Sequence, residues 1–182
     1  PQDLAKRRWF DFYAQQFNSV EINATFYRRF PDKTYQKWRD QVSSDFSYVL
    51  KAPRFITHKY QLKEVDEPIK EFDDSAHILG NRLGALLVQL PPNMGFDGQR
   101  LQHALSCFRE PERLVVEFRN PEWYCDQALA LLDEFGAGFC CVDSPDHPLV
   151  QLQSTGATAY VRLHGRRAWY NDNYRDDELQ AL

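Results

Sequence analysis

The sequence predicts a parallel α/β fold of the TIM (β/α)8 barrel type, and three observations predict it. Six short strand-like runs alternate with helical runs at intervals of roughly thirty residues, the rhythm of βα units. Each strand is apolar on one face, while its other face turns polar at the C-terminal end. Barrel strands read this way, with an apolar floor and a polar mouth, whereas an open doubly wound sheet makes its central strands apolar on both faces. Prolines gather after the strand ends (Pro31, Pro53, Pro91, Pro92, Pro121, Pro145 and Pro148), and the opposite connections, Gly80–Gly84 and Gly136–Gly138, are plainer. One end of the barrel therefore carries the longer, stiffened loops, the end that bears function in this fold. A full barrel takes ~250 residues and eight strands. Residues 1–182 are thus expected to form a single (β/α) domain lacking its first and last strands.

The elements follow in order. Residues 3–17 place Leu4, Trp9, Phe12, Tyr13 and Phe17 at helical spacing, predicting a helix with a core-facing aromatic stripe. Ser19–Asn23 is a strand, with Val20 and Ile22 on one face and Ser19, Glu21 and Asn23 on the other. A loop over Thr25–Pro31 leads to a helix capped near Asp32 and running to about Val42. Ser47–Lys51 is the second strand. Glu67–Leu79 is helical and stops at Gly80, a residue suited to a helix C-terminus. Ala85–Gln89 is the third strand, and a helix covers roughly Gln99–Phe108. Arg113–Arg119 is the fourth strand, with Leu114, Val116 and Phe118 on one face and Val115, Glu117 and Arg119 on the other. Asn120-Pro121 ends it, and a helix runs from about Pro121 to Phe135, closed by Gly136. Phe139–Asp143 and Ala159–His164 are the fifth and sixth strands, and the last residues read as the first turns of another helix.

Composition bounds the function. The 43% hydrophobic and 14% aromatic fractions indicate a folded globular chain, and the net charge of −4 offers no global field for nucleic acid or anionic membrane. No apolar run approaches the ~20 residues of a membrane span. Cys107, Cys125, Cys140 and Cys141 form no CxxC pair, so a reducing, cytoplasmic setting is expected. There is no P-loop, GxGxxG, GxSxG or HExxH pattern.

The inward residues near the strand C-termini converge from separate strands: Glu21 and Asn23, Lys51, Gln89, Glu117 and Arg119, Asp143, then Arg162 and His164. Half-buried strands rarely carry such groups unless they pair or do chemistry. One reading is a self-neutralising salt-bridge network plugging the mouth. In a second, Lys51, Arg119 and Arg162 hold a carboxylate or phosphate, with Glu117, Glu21 or Asp143 as base and His164 moving a proton near neutral pH. In a third, carboxylates and His164 hold a divalent metal, although three cations on the ring would repel it and no His-rich zinc cluster is evident. In a fourth, Lys51 forms a Schiff base. His58, beside Lys59, either reaches over the mouth or faces solvent. Trp123 and Trp169 are either stacking walls or rim packing. His77 and His103 fall on helices, and His147 falls in a loop.

Five blocks then carry a resemblance. Phe17–Tyr27 (Phe-Asn-Ser-Val-Glu-Ile-Asn-Ala-Thr-Phe-Tyr) resembles the signature of the YecE-like family, a domain of unknown function. Lys51-Ala52-Pro53-Arg54 with Ile56-Thr57-His58, Leu87–Pro92, Glu117-Phe118-Arg119 with Trp123, and Tyr160–Gly165 are similar to its later blocks. The resemblance implies a TIM barrel whose N-terminal and final strands lie outside this chain, and it brings no established reaction.

The expected function is acid/base chemistry, of a hydrolase, lyase or isomerase kind, on a small anionic, phosphorylated or carboxylated sugar-like substrate. Glu117, His164, Glu21 and Asp143 are the catalytic candidates. Lys51, Arg119, Arg162, Asn23, Gln89, His58 and Trp123 are the binding candidates, and no metal ligand is assigned. The alternatives are a nucleic-acid-binding or metal-dependent nuclease-like barrel using Arg28, Arg29, Arg54, Lys59, Arg166 and Arg167, and a non-catalytic ligand-binding module.

Overall fold

A computed structural model describes residues 4–146, 149 and 152–180. His147 and Pro148 lie outside the described residues. Six strands, β1 (Ser19–Ile22), β2 (Ser47–Lys51), β3 (Leu83–Gln89), β4 (Leu114–Glu117), β5 (Gly138–Asp143) and β6 (Tyr160–Leu163), form one sheet in sequence order. Every neighbouring pair is parallel.

The helices are α1 (Trp9–Gln16), the single turn α2 (Ala24–Tyr27), α3 (Asp32–Asp40), α4 (Asp66–Ala76), α5 (Gly98–Ser106), α6 (Asp126–Glu134) and α7 (Asp176–Gln180); α1, α3, α4, α5 and α6 pack on the outer face of the sheet. Among the described residues no helix is long and apolar enough to cross a membrane.

The sheet curls. Flat, it would hold its first and last strands about 24 Å apart, five spacings of ~4.8 Å. Yet Arg162 of β6 reaches Glu21 of β1, with Nη2 2.7 Å from Oε1 and Nε 3.0 Å from Oε2. The result is a half-barrel with two separate apolar layers. Outward residues such as Leu50, Leu86, Val116, Phe118 and Phe139 pack against Tyr35, Ile69, Phe72, Leu101, Leu105 and Leu132 of the helices. Inward residues Val49, Ala85, Leu87, Val115, Cys140 and Val142 form a smaller cluster under Tyr160. This is the apolar floor the alternation predicts, and the polar residues stand above it, two positions further along the strand: Lys51 after Val49, Gln89 after Leu87, Glu117 after Val115 and Arg162 after Tyr160.

Three local differences from the sequence reading have physical causes. In α1 the core-facing side is Phe10, Tyr13 and Ala14, with Phe10 against Phe46 and Tyr48. Trp9, Phe12 and Phe17 are instead 51%, 42% and 58% exposed, because Phe10, Tyr13 and Ala14, spaced i, i+3 and i+4, make the face that meets the core. The helix expected from Pro121 divides into a 3-10 turn, Pro121–Trp123, and α6. The Asn120 carboxamide caps that turn by accepting the Glu122 N–H at 2.9 Å. The loop after β2 contains a π-helical turn, Phe55–Lys59, a distortion that often accompanies functional sites.

Candidate functional site

The C-terminal ends of the strands open into a cleft of about 740 Å³, lined by Asn23, Phe26, Tyr27, Lys51, Arg54, His58, Gln89, Pro92, Arg119, Asp146, Arg162, Trp169 and Tyr170. Its floor is an ion-pair belt centred on Glu117, a carboxylate with no exposed surface. Glu117 Oε1 accepts Gln89 Nε2 at 2.8 Å and a short hydrogen bond from Arg119 Nε, while Oε2 accepts Arg162 Nη1 at 2.6 Å. Arg162 also forks onto both oxygens of Glu21, and the Tyr160 hydroxyl donates to Glu21 Oε2 at 2.8 Å.

Burial pushes the Glu117 carboxyl upward, but Arg162, Arg119 and the hydrogen bonds from Gln89 and Arg162 outweigh it and hold its pKa below the ordinary value. Burial likewise pulls the Arg162 guanidinium down, and Glu117 and Glu21 more than restore it. Glu117 and Arg162 are thus held in their charged forms, and the hydrogen bonds of the belt close on one another.

His164 completes the belt as a neutral ring. Its Nε2 lies 2.8 Å from Arg119 Nη2 and 3.3 Å from Arg162 Nη1. Both are obligate donors, so that nitrogen accepts and the proton resides on Nδ1. Burial, then Arg162 and Arg119, lowers its pKa from 6.5 to about 4. The expectation that His164 moves protons near neutral pH meets this geometry: the lone pair that would take the proton already accepts from two guanidiniums.

The β2 corner differs. The Thr25 hydroxyl, buried, lies within hydrogen-bond reach of the Lys51 carbonyl (2.7 Å) and the Ile22 carbonyl (3.0 Å). This pins α2 so that the Phe26 ring sits 4.4 Å from Lys51 Nζ and edge-on to His58 at 4.9 Å. Among the described residues, neither Lys51 nor Arg54 has a carboxylate within ion-pair distance. Burial, then Arg162, lowers the Lys51 pKa against the pull of Glu117 and Glu21. Burial, Lys51 and Arg54 lower that of His58, whose Nδ1 contacts the Thr57 hydroxyl at 2.9 Å. His58 therefore faces the cleft as a neutral imidazole.

The opposite wall is built by the turn after β6. Gly165 has φ +99, and a Cβ there would collide with the Ala168 carbonyl oxygen. Asp172 Oδ2 accepts the N–H groups of Arg166 (2.8 Å) and Arg167 (2.9 Å). The turn brings Trp169 and Tyr170 beside His164 and into the cleft, and Arg119 lies 5.3 Å from the Trp169 ring.

The structure thus brings Glu21, Asn23, Lys51, His58, Gln89, Glu117, Arg119, Arg162 and His164 to one mouth, and two predicted residues are corrected. Asp143 is not on the ring: it shares a strand face with Cys141, which packs into the outer core, whereas Cys140 and Val142 face inward. Its Oδ2 accepts Arg166 Nε (3.1 Å) and Nη2 (3.0 Å), and its Oδ1 accepts the Leu149 N–H (2.7 Å). Trp123 is no stacking wall. It is fully buried behind the sheet, stacked on Phe118 with ring centroids 5.1 Å apart, and its indole donates to the Met94 carbonyl.

Sequence reasoning missed Phe26, Tyr27, Asp146 and Tyr170 as lining residues, and it treated Arg54 only as a neighbour of Lys51 and a basic loop residue. Aromatic pairs in the loops that follow strand ends, Phe26-Tyr27 and Trp169-Tyr170, were the available signal. Three of the six basic loop residues considered for nucleic acid are paired with carboxylates: Arg29 with Glu71, Arg166 with Asp143, and Arg167 with Asp172.

Fold and site together define an α/β half-barrel with a cationic, aromatic-walled cleft at the C-terminal ends of its strands. The chain belongs to the DUF72 family, described as a protein of unknown function, which it matches over residues 1–182. It is 32% identical over 113 residues to the UPF0759 protein YecE of Escherichia coli K12, covering 62% of this chain and 42% of that protein. It is 25% identical over 184 residues to the UPF0759 protein YunF of Bacillus subtilis, covering 91% of this chain and 65% of that one. The chain therefore spans less than two thirds of the length of either relative. A DUF72 family protein from Thermotoga maritima superposes with a TM-score of 0.85 at 24% identity, over 100% of this chain and 77% of that one. One from Enterococcus faecalis gives 0.81 at 24% identity, over 96% and 78%.

Proposed function

We propose that the cleft binds a small phosphorylated or carboxylated, sugar-like molecule and performs acid/base chemistry on it. The observation that carries this reading is Lys51, a half-buried ammonium aimed into the cleft with no carboxylate partner among the described residues. Holding such a charge without a partner costs stability, a cost that a ligand anion offsets. Lys51, Arg54 and the outer edge of Arg119 form the anion cradle, Asn23 and Gln89 meet hydroxyls, and Tyr27, Trp169 and Tyr170 cover the less polar face.

The roles differ from those the sequence assigns. Glu117, Glu21, Arg162 and His164 act as positioning residues that aim Arg119 and keep the floor charged. His58, neutral and facing the cleft, is the proton carrier. A metal centre in the cleft is disfavoured because four of its five charged lining groups, Lys51, Arg54, Arg119 and Arg162 against Asp146, are cations, which repel one. We also take the six strands as part of a full (β/α)8 barrel closed by strands outside this chain, supported by the superposition on a longer family member. A reducing, cytoplasmic setting is supported by four free cysteines.

The test is a thermal-shift screen of phosphorylated and carboxylated metabolites, followed by product analysis of each hit. The expected result is a stabilising hit whose affinity falls about 10- to 100-fold in Lys51→Met, the worth of a charge-assisted hydrogen bond, and whose turnover falls in His58→Asn. Binding without turnover would leave a ligand-binding module. Binding of oligonucleotides alone, with a steep salt dependence, would overturn the small-anion reading.

A further inference from the structure

A second cluster lies on the outer surface, away from the cleft. His103 and Cys107 are four residues apart at the end of α5, so they share a face of that helix. Asp66, the first residue of α4, meets them from the neighbouring helix. His103 Nε2 is 3.1 Å from Asp66 Oδ2, and Cys107 Sγ is 3.8 Å from both Asp66 Oδ1 and the same His103 nitrogen. Among the described residues this is the one group of three or more Cys, His and carboxylate side chains whose ligand atoms converge this closely.

The triangle has the dimensions of a metal site. Tetrahedral bonds of ~2.0–2.1 Å to nitrogen or oxygen and ~2.3 Å to sulfur place ligand atoms about 3.3–3.6 Å apart. The His103–Asp66 Oδ2 separation of 3.1 Å lies just below that range and the Cys107–His103 separation of 3.8 Å just above it, while Cys107 meets the other Asp66 oxygen; one ligand atom from each residue falls within 4.8 Å of the others, so a cation is accommodated as the carboxylate turns and the side chains draw together. One thiol, one imidazole and one carboxylate together suit a borderline cation better than a hard one such as Mg²⁺ or Ca²⁺. Asp66 and His103 are exposed and Cys107 is half-buried, which leaves a fourth position open to water.

We propose that Asp66, His103 and Cys107 form a zinc-class divalent cation site joining α4 to α5. On binding, a metal–sulfur bond forms as the thiol releases its proton to solvent, with no change in oxidation state. At present the Cys107 thiol also points at the His103 carbonyl, 3.3 Å away, and the metal would replace that weak hydrogen bond. The cationic cleft repels the same ion, so the two sites stay chemically separate.

Titration of the purified, reduced, chelator-free protein with Co²⁺ tests this. The expected result is one equivalent bound with a thiolate-to-cobalt charge-transfer band, displaced by Zn²⁺, and a melting temperature raised by Zn²⁺. Cys107→Ser should abolish the band. His103→Ala and Asp66→Asn should weaken binding at least about tenfold, and Cys125→Ser should leave it unchanged. Absence of the band in the wild type, or its survival in Cys107→Ser, would overturn the site. Retained folding of each variant, checked by circular dichroism, keeps these outcomes decisive.

Discussion

On the β4–β6 side of the cleft both guanidiniums have carboxylates: Arg162 holds Glu21 and Glu117, and Arg119 holds Glu117. On the β2 side Lys51 and Arg54 have none among the described residues. Both regions are cationic and both line the same cleft, yet their energetics are opposite. The first is closed on itself: its charges are desolvated but repaid by partners, so removing one member leaves the others exposed to the full cost of burial. The second is open, since its cost is already being borne and removing a member relieves it. A paired network of this kind belongs to the frame, and an unpaired cation belongs to whatever enters.

The sharpest way to break that contrast is Glu117→Gln. The substitution is isosteric and keeps a hydrogen-bonding group near Gln89, but it strips the central charge from between two guanidiniums. Equilibrium denaturation should show a loss of about 3–5 kcal/mol, the range for breaking a buried ion pair by removing one partner. A loss below about 1 kcal/mol would mean that Arg119 and Arg162 simply turn to solvent, and the belt would then not be part of the frame.

The second effect is pH-dependent and concerns His164. In the unfolded chain this ring takes up its proton near 6.5, while in the native belt it resists until about 4. Between those values the unfolded state binds more protons. The stability His164 preserves is therefore fully present above pH 6.5 and is lost as the pH falls toward 4. The full loss is roughly 3 kcal/mol; it should be absent from His164→Gln, whose amide oxygen can still accept from Arg119, and should therefore appear as the difference between the two pH profiles. Parallel pH profiles for the two proteins would show that the ring does not sit against the guanidiniums.

How far the sequence exposes this arrangement depends on strand parity. Where one face is apolar and the other polar, as in Ser19–Asn23 and Arg113–Arg119, alternation alone placed Glu21, Glu117 and Arg119 correctly at the mouth. It failed at β5. Gly138–Asp143 is buried along its whole length, and the adjacent Cys140 and Cys141 are equally at home on either face, so nothing local distinguished Asp143 from an inward residue. Trp123 failed for a related reason: an aromatic just past a strand packs into the rim as readily as it lines a cleft, and only the Phe118 ring beneath it decides. What the sequence could not show at all is pairing across the barrel. Glu21 and Arg162 are 141 residues apart, and their contact arises from the curl of the sheet rather than from any local signal.

The smallest predicted effect is also the most discriminating, and it concerns Lys51→Met. Three contributions compete. Losing the ammonium removes the desolvation penalty that depresses its pKa, which favours the variant. Losing the contact with the Phe26 ring costs about 0.5–2 kcal/mol, and a methionine sulfur near the same ring returns about 0.3–1.5 kcal/mol. The net change in unfolding free energy should lie within about 1 kcal/mol of zero, even though the ligand affinity collapses. His58 provides an independent reading of the same substitution. Lys51 is among the causes of its lowered pKa, so its NMR titration midpoint should rise in Lys51→Met. Should the variant lose more than about 2 kcal/mol, or the His58 midpoint fail to move, Lys51 would belong to the frame after all, and the contrast between the two sides of the cleft would dissolve.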